Sequence, residues 1–357
     1  MKKSDVYFLP LNKKTSDGEV SVIAAKLLEH ILQQEQITLN SDIALKVHFG
    51  ESGNRTYIHP ECYDGILDIL KNKNVKASFI ETSVLYGGRR SNAANHKKLA
   101  ADHGFTKLPV IIADGTAGED SSLISIQGGK HFENCALGKG FEAFEQIIVL
   151  SHFKGHGLAG FGGAIKQLSM GFASKGGKMA MHMGIKPRLM NFLCVKCGLC
   201  VKRCQVDAIH IEPKGSGKKS RIDHSKCLGC GACYSACNRH AISILSLSGL
   251  RNMLFRKSDF REKLVEYAMA AHQGRRNIYM NFAMSITKGC DCEPRPMLTA
   301  IPNIGIFVST DPVAADAACY DACVRCGLKF KGGEQLAYAE KLGLGSRDYN
   351  LITLNQE

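Results

Sequence analysis

Two stretches of the chain repeat one cysteine spacing. Residues 193–204 read LCVKCGLCVKRC and residues 226–237 read KCLGCGACYSAC, each C-x2-C-x2-C-x3-C, with an offset of 33 positions. Three cysteines on a tight turn can reach three corners of a cubane, while the fourth, carried into the following helix, ligates the neighbouring cluster. The spacing therefore predicts two [4Fe–4S] clusters. Cys194, Cys197, Cys200 and Cys237 hold one, and Cys227, Cys230, Cys233 and Cys204 hold the other. Gly198 and Gly231 stand where backbone must approach a cluster closely. Gln205 and Asn238 occupy the place where bacterial ferredoxins usually carry proline after the fourth cysteine, which removes no ligand. The repeat continues past the cysteines, since CQVDAIHI (204–211) corresponds to CNRHAISI (237–244). Such a pair of halves predicts an α+β ferredoxin-like module.

The module accounts for a small part of 357 residues. On either side the texture is that of an α/β protein. Strand-like runs at Asp5–Leu9, Ile43–His48, Val75–Glu81, Val110–Ala113, Ile124–Gln127 and Gln146–Leu150 alternate with helical spacing at Val20–Leu32, Gly65–Lys71 and Ala93–His103. After the cysteines the pattern resumes with a helix at Arg261–Ala271, strands at Asn277–Met284 and Ile304–Ser309, and a helix at Glu334–Leu342 before a short tail. Thr310 or Asp311 suits a helix cap, with Pro312 at the first helical position where its missing N–H costs nothing. We therefore expect an α/β host with a largely parallel or mixed sheet, formed by residues 1–187 and 248–357, and an insert at 188–247.

Composition narrows the class. Hydrophobic residues make up 45% and charged residues 22% of the chain, ordinary values for a globular protein. No export signal or membrane-length apolar run is visible, so a cytoplasmic protein with no membrane span is expected. In a reducing compartment 15 cysteines read as metal ligands, redox groups or small core residues. The formal charge of +13 stays positive after two anionic clusters are added, which favours an acidic redox partner protein or a small anionic substrate. Nucleic acid is the weaker reading, because no aromatics are interleaved with the Lys/Arg residues. Oligomeric state is not legible.

Just before the insert, residues 151–171 read SHFKGHGLAGFGGAIKQLSMG, with six glycines, two histidines and two lysines. After a strand such a stretch reads as a loop whose backbone N–H groups approach an anion or cofactor, with Gly162, Gly163 and Lys166 as candidate binding residues. The run KGHGLAGFGGAIKQLSMG, the two-motif cysteine insert, GCDC at 289–292 and IGIFVSTDPVAADAA at 304–318 occur in the same order in a bacterial and archaeal group. Over nearly its whole length the chain resembles the domain-of-unknown-function-362 iron–sulfur proteins. That resemblance implies an α/β host with an inserted bacterial-type ferredoxin. HGLAGFGGAIK is also similar to a stretch of the nickel-pincer lactate racemases. This second resemblance implies an acid/base role for His156, a cofactor or substrate anchor at Lys166 and a metal ligand at His182. That family lacks both the insert and the CDC motif.

Cys290 and Cys292 flank Asp291 ahead of a loop stiffened by two prolines, and with His182, His152 or His156 they form a candidate third metal or cluster site. Redox-active or structural thiols are the alternative. Cys319, Cys323 and Cys326 look like small core residues on a helix. His48, Glu51 and Arg55 follow a strand, where α/β sheets place ligand groups. Together these features point to an oxidoreductase-type protein that passes electrons between a partner and a metal or anion site in the host. Two other readings stay open: an electron carrier whose host only docks partners, and a metal maturation or scaffold factor.

Overall fold

The computed structural model describes residues 3–183, 187–204, 206–227, 229, 231–243 and 257–355. Its strands, in chain order, are β1 (Ser4–Pro10), β2 (Asp42–Lys46), β3 (Lys76–Glu81), β4 (Val110–Ile112), β5 (Ser121–Ser125), β6 (Asn134–Gly138), β7 (Ile147–His152), β8 (Lys154–His156) and β9 (Gly160–Gly162). They continue with β10 (Arg188–Leu189), β11 (Ile209–His210), β12 (Arg221–Ile222), β13 (Ile242–Ser243), β14 (Ile278–Ala283), β15 (Gly305–Ser309) and β16 (Tyr349–Thr353).

Eight strands share one sheet in the order β16-β1-β15-β14-β7-β2-β3-β4. Every pairing is parallel except those of β15, which runs antiparallel to β1 and β14. The inner strands β7 and β14, IIVLSH and IYMNFA, are buried at every position because helices cover both faces. Side chains alternate between two cores. Val149, Tyr279 and Phe307 face the helices Ala164–Met170, Lys257–His272 and Pro312–Arg325. Their neighbours Ile148, Leu150, Met280 and Ile306 face the helices Asp17–Gln34 and Asp64–Asn72. Each such aliphatic or aromatic side chain contributes about 1.5–3 kcal/mol by leaving water. Helix starts follow local chemistry. Ser16 and Glu19 form a capping box, and Asp311 accepts N–H bonds from Val313 and Ala314 ahead of the helix begun by Pro312.

The expected α/β architecture with a mostly parallel sheet is thus present, with some local differences. The run expected at Ile124–Gln127 pairs as Ser121–Ser125, and the tail holds β16, an exposed edge strand parallel to β1. Stretch 151–171 is not a loop: β8 and β9 pair as a hairpin and lead into the helix Ala164–Met170. Its glycines admit other backbone segments. Gly155 donates its N–H to Thr287 O, and a Cβ there would sit 2.3 Å from Lys288 O. Cys319 and Cys323 are core residues, but Cys326 ends the helix exposed.

The cysteine repeat is a repeat of backbone conformation. Gly198 and Gly231, at φ 76° and 72°, each open a four-residue helix in the left-handed region. The same offset relates the positive-φ pairs Lys196 and Gly229, and Asp207 and His240. It also relates two backbone-to-sulfur bonds, Ala208 N to Cys204 Sγ at 3.3 Å and Ala241 N to Cys237 Sγ at 3.2 Å. Cys200, Ile209, Cys233 and Ile242 form a small core of their own. Cys230 lies outside the described residues.

Gly155→Ala should destabilise the protein by about 1–3 kcal/mol, because the Lys288 carbonyl must move. Gly157, two residues on, has nothing within 4 Å of its Cβ position, so Gly157→Ala should melt within about 0.5 kcal/mol of the parent. Thermal denaturation of both variants checks the pair.

Candidate functional site

In parallel sheets, ligand groups gather beyond the carboxyl ends of the strands. Here β2 ends at Lys46 and leads to His48, β3 ends at Glu81, and β7 ends at His152. The loop after β14 brings Cys290, Asp291 and Cys292 to the same edge. The Glu293 N–H donates to Cys290 O at 2.9 Å, which makes Cys290–Glu293 a tight turn. From the other side comes the helix Ala164–Met170. Its first two N–H groups donate to the buried Asp316 carboxylate at 2.6 and 3.0 Å, and Asn281 of β14 donates to the same group at 2.7 Å. A Cβ on Gly163 would lie 2.2 Å from Asp316 Oδ1, and one on Gly162 would lie 2.6 Å from Lys166 Cδ. These two glycines make room for this cap and for the lysine stem.

Three buried ion pairs frame the site. Lys46 Nζ lies 2.6 Å from Glu81 Oε1. Arg90 Nε lies 2.9 Å from Glu51 Oε2, while its other nitrogens meet His48 Nε2 at 2.9 Å and the Tyr86 hydroxyl. Asp291 Oδ2 takes both His152 Nδ1 and Lys154 Nζ at 2.8 Å. His152 Nε2 also faces an acceptor, Met284 O at 2.8 Å, so a doubly protonated ring satisfies both contacts. Burial works against charge on Asp291, but His152 and Lys154 outweigh it and hold the carboxyl well below its ordinary range.

Between these pairs lies a cavity of about 190 Å³, lined among others by His48, Arg90, His156, Lys166, Lys178 and Cys292. Lys178 donates to Thr82 Oγ1, Ser83 O and Ala173 O, and burial pulls its ammonium down to about 8. His182 lines the same cavity, and burial pushes it down to about 4, so it is neutral. Cys290 is 3% exposed. Its sulfur receives the Cys292 backbone N–H at 3.4 Å, and Lys166 Nζ stands at 3.8 Å. The Cys292 thiol first, then Lys166 and the His156 ring, lower the Cys290 thiol well below its ordinary value despite burial. The proton of the pair is held at Cys292, whose hydrogen bond to Cys290 raises it.

His156, Cys290 and Cys292 offer ligand atoms within 4.8 Å of one another, a possible metal-binding group. The donor set fits a cation poorly. His156 Nδ1 accepts the N–H groups of Leu158 and Ala159 at 3.3 and 3.0 Å, so the neutral ring carries its proton on Nε2. A metal-bound histidine has the reverse arrangement, donating its second N–H to an acceptor. Lys166 adds a positive charge beside the sulfur. The set suits a hydrogen-bonded thiolate in a cationic cavity.

The structure therefore brings together His156, Lys166, Cys290 and Cys292, with His182 on the cavity wall. His48 and Glu51 belong to the frame, whereas Arg55 is exposed. Sequence reasoning missed Lys46, Glu81, Tyr86, Arg90 and Lys178. Arg90 is 2% exposed while its neighbour Arg89 pairs with Asp102 at the surface, and nothing local distinguishes the two.

Asp291→Asn should cost about 3–5 kcal/mol near neutral pH, because it leaves Lys154 and His152 buried without their counter-charge. The lowered carboxyl contributes stability that is full above the ordinary aspartate value of 3.8 and lost as pH falls through and below it. The gap between parent and variant should therefore narrow in acid, which urea unfolding across pH 3–7 measures.

Several solved structures resemble the chain. One is a protein from Thermotoga maritima, at 9% identity and a TM-score of 0.45, matched over 89% of this chain and 60% of that one. Another is the lactate racemase apoprotein from Thermoanaerobacterium thermosaccharolyticum, at 13% identity and a TM-score of 0.40, matched over 79% and 51%. The chain thus spans between half and three fifths of the length of these two structures. No curated protein matches it. Residues 43–321 match the family model described as Domain of unknown function (DUF362), and the chain belongs to that family.

Proposed function

We propose that the protein is an iron–sulfur redox protein. In this reading residues 188–247 are an inserted ferredoxin-like domain with two [4Fe–4S] clusters, and the host (1–187 and 248–357) binds a small anion in the Cys290 cavity. The observation that carries it is the 33-residue repeat, in which cysteine spacing, positive-φ turns and backbone-to-sulfur bonds recur together. The clusters supply one-electron transfer when present. In the first motif, Cys194 and Cys197 lie close enough to Cys200 for their charges to raise its thiol, after burial does so more strongly. That crowding suits the corners of one cubane.

The second motif adjoins the host. A Cβ on Gly231 would lie 3.3 Å from Met179 Cγ, and Met179 sits on the helix Lys175–Met183 that brings Lys178 and His182 to the cavity wall. In this reading electrons entering at the first motif pass through the second toward the host. Lys166 and Lys178 supply cationic lining for an anion, with Glu81 neutralised by Lys46 and Arg90 by Glu51. Among the described residues no helix is long and apolar enough to cross a membrane. The basic chain favours an acidic donor protein.

Anaerobically purified protein should contain about eight irons and as many labile sulfides per chain, and Cys227→Ser should lower both. Cysteine-bound zinc in place of iron would overturn the reading. We expect no further metal. An excess of iron, nickel or zinc that disappears in Cys290→Ser/Cys292→Ser, with the cluster irons retained, would install a metal at the host site instead.

A further inference from the structure

We propose that Cys290 and Cys292 are a two-electron dithiol centre that reduces a small anionic disulfide. The inference deepens the reading just given, since its reducing electrons come through the clusters. The geometry of the pair carries it. One turn, closed by the Glu293 N–H to Cys290 O bond, holds both sulfurs within 4.8 Å, and cysteines two residues apart can close a disulfide with modest movement. Cys292 lines the cavity and Cys290 stands behind it. A merely structural pair of thiols has no need of the groups around this one. The Cys290 sulfur is surrounded by an ammonium, an imidazole N–H and a backbone N–H, all of which stabilise a thiolate. A metal-chelating pair would not have its histidine fixed with the proton toward sulfur.

The chemistry balances. The pair carries one proton. One of its sulfurs attacks a substrate sulfur, forming a mixed disulfide and expelling the first thiolate. The second sulfur attacks that mixed disulfide, closing the Cys290–Cys292 bond and expelling the second thiolate. Two electrons leave the pair, and its proton goes to a departing thiolate. Reopening the bond takes two electrons and one proton. Two clusters, each a one-electron carrier, deliver the two electrons from an external low-potential donor.

The cavity sets the substrate class. About 190 Å³ excludes a folded protein's disulfide loop, and Lys166 and Lys178, which form no ion pair with a carboxylate among the described residues, favour carboxylates over amines on the substrate. Dithiodiglycolate and cystamine are small disulfides of opposite charge and serve as probes.

The test uses the full chain with its clusters, reduced anaerobically and freed of reductant. After exposure to dithiodiglycolate and alkylation, peptide mapping should find Cys290 and Cys292 joined to one another, and iron should be retained. The linkage should form at least 10-fold faster than with cystamine, and Lys166→Met should erase most of that difference. Addition of dithionite should return both cysteines to the alkylatable form. If both cysteines alkylate fully after exposure, as they do before it, the proposal fails. Equal rates for the two probes would sink the anionic substrate class. A linkage that stays closed under dithionite in the cluster-loaded protein, or that reopens equally fast in protein stripped of its iron, would leave the dithiol centre standing and refute the cluster route.

Discussion

The Asp291 carboxylate, closed off from solvent between His152 and Lys154, is the interaction on which the site hangs. It joins the last residue of one central strand to a loop that starts after its neighbour in the sheet, and it does so by charge where apolar contacts would allow sliding. A buried carboxylate with two cationic partners has one good position, because any other leaves a charge unsolvated. Its flanking residues, Cys290 and Cys292, inherit that position. The Gly155 contact with the Thr287–Lys288 backbone fixes the same loop from a second direction.

Charge is balanced pair by pair around the cavity. Lys46 answers Glu81, Arg90 answers Glu51, and Lys154 answers Asp291. Lys166 is the cation whose counterpart is a sulfur, so its neutralisation depends on the state of the thiol. Converting Cys290 to a form without negative charge leaves Lys166 exposed to whatever anion the cavity holds. Anion affinity and the charge state of the thiol are thereby linked through one ammonium group.

Much of the frame was legible in the sequence, because its signals are local. Alternation and helical spacing placed the strands ending at Lys46, Glu81 and His152, and the Asp311–Pro312 pair marked its helix. The cysteine spacing carried the repeat with no help from tertiary structure. The glycine-rich stretch reads as a loop because glycine has several uses, but the chain there forms a hairpin and a helix start, and Gly155 serves a backbone contact with a segment more than a hundred residues away. Its His156 and Lys166 do reach the cavity. Arg90 and Lys178 are invisible for a related reason: their burial is set by loop residues remote in sequence, Glu51 and His48 for Arg90 and Thr82 and Ser83 for Lys178. β16 was missed because its exposed, mixed face carries little hydrophobic period.

The short ladder between Arg188–Leu189 and Ile242–Ser243 has a consequence for how such a protein arose. It returns the chain to the place from which the cysteine-bearing segment departs. The segment is thus a detour in the chain's path, and replacing it by a turn leaves the order of the eight-stranded sheet unchanged. If the segment carries the clusters proposed above, a chain of this kind can gain or shed its electron supply in a single genetic event, and the cavity at the strand ends can be older than the wiring that feeds it.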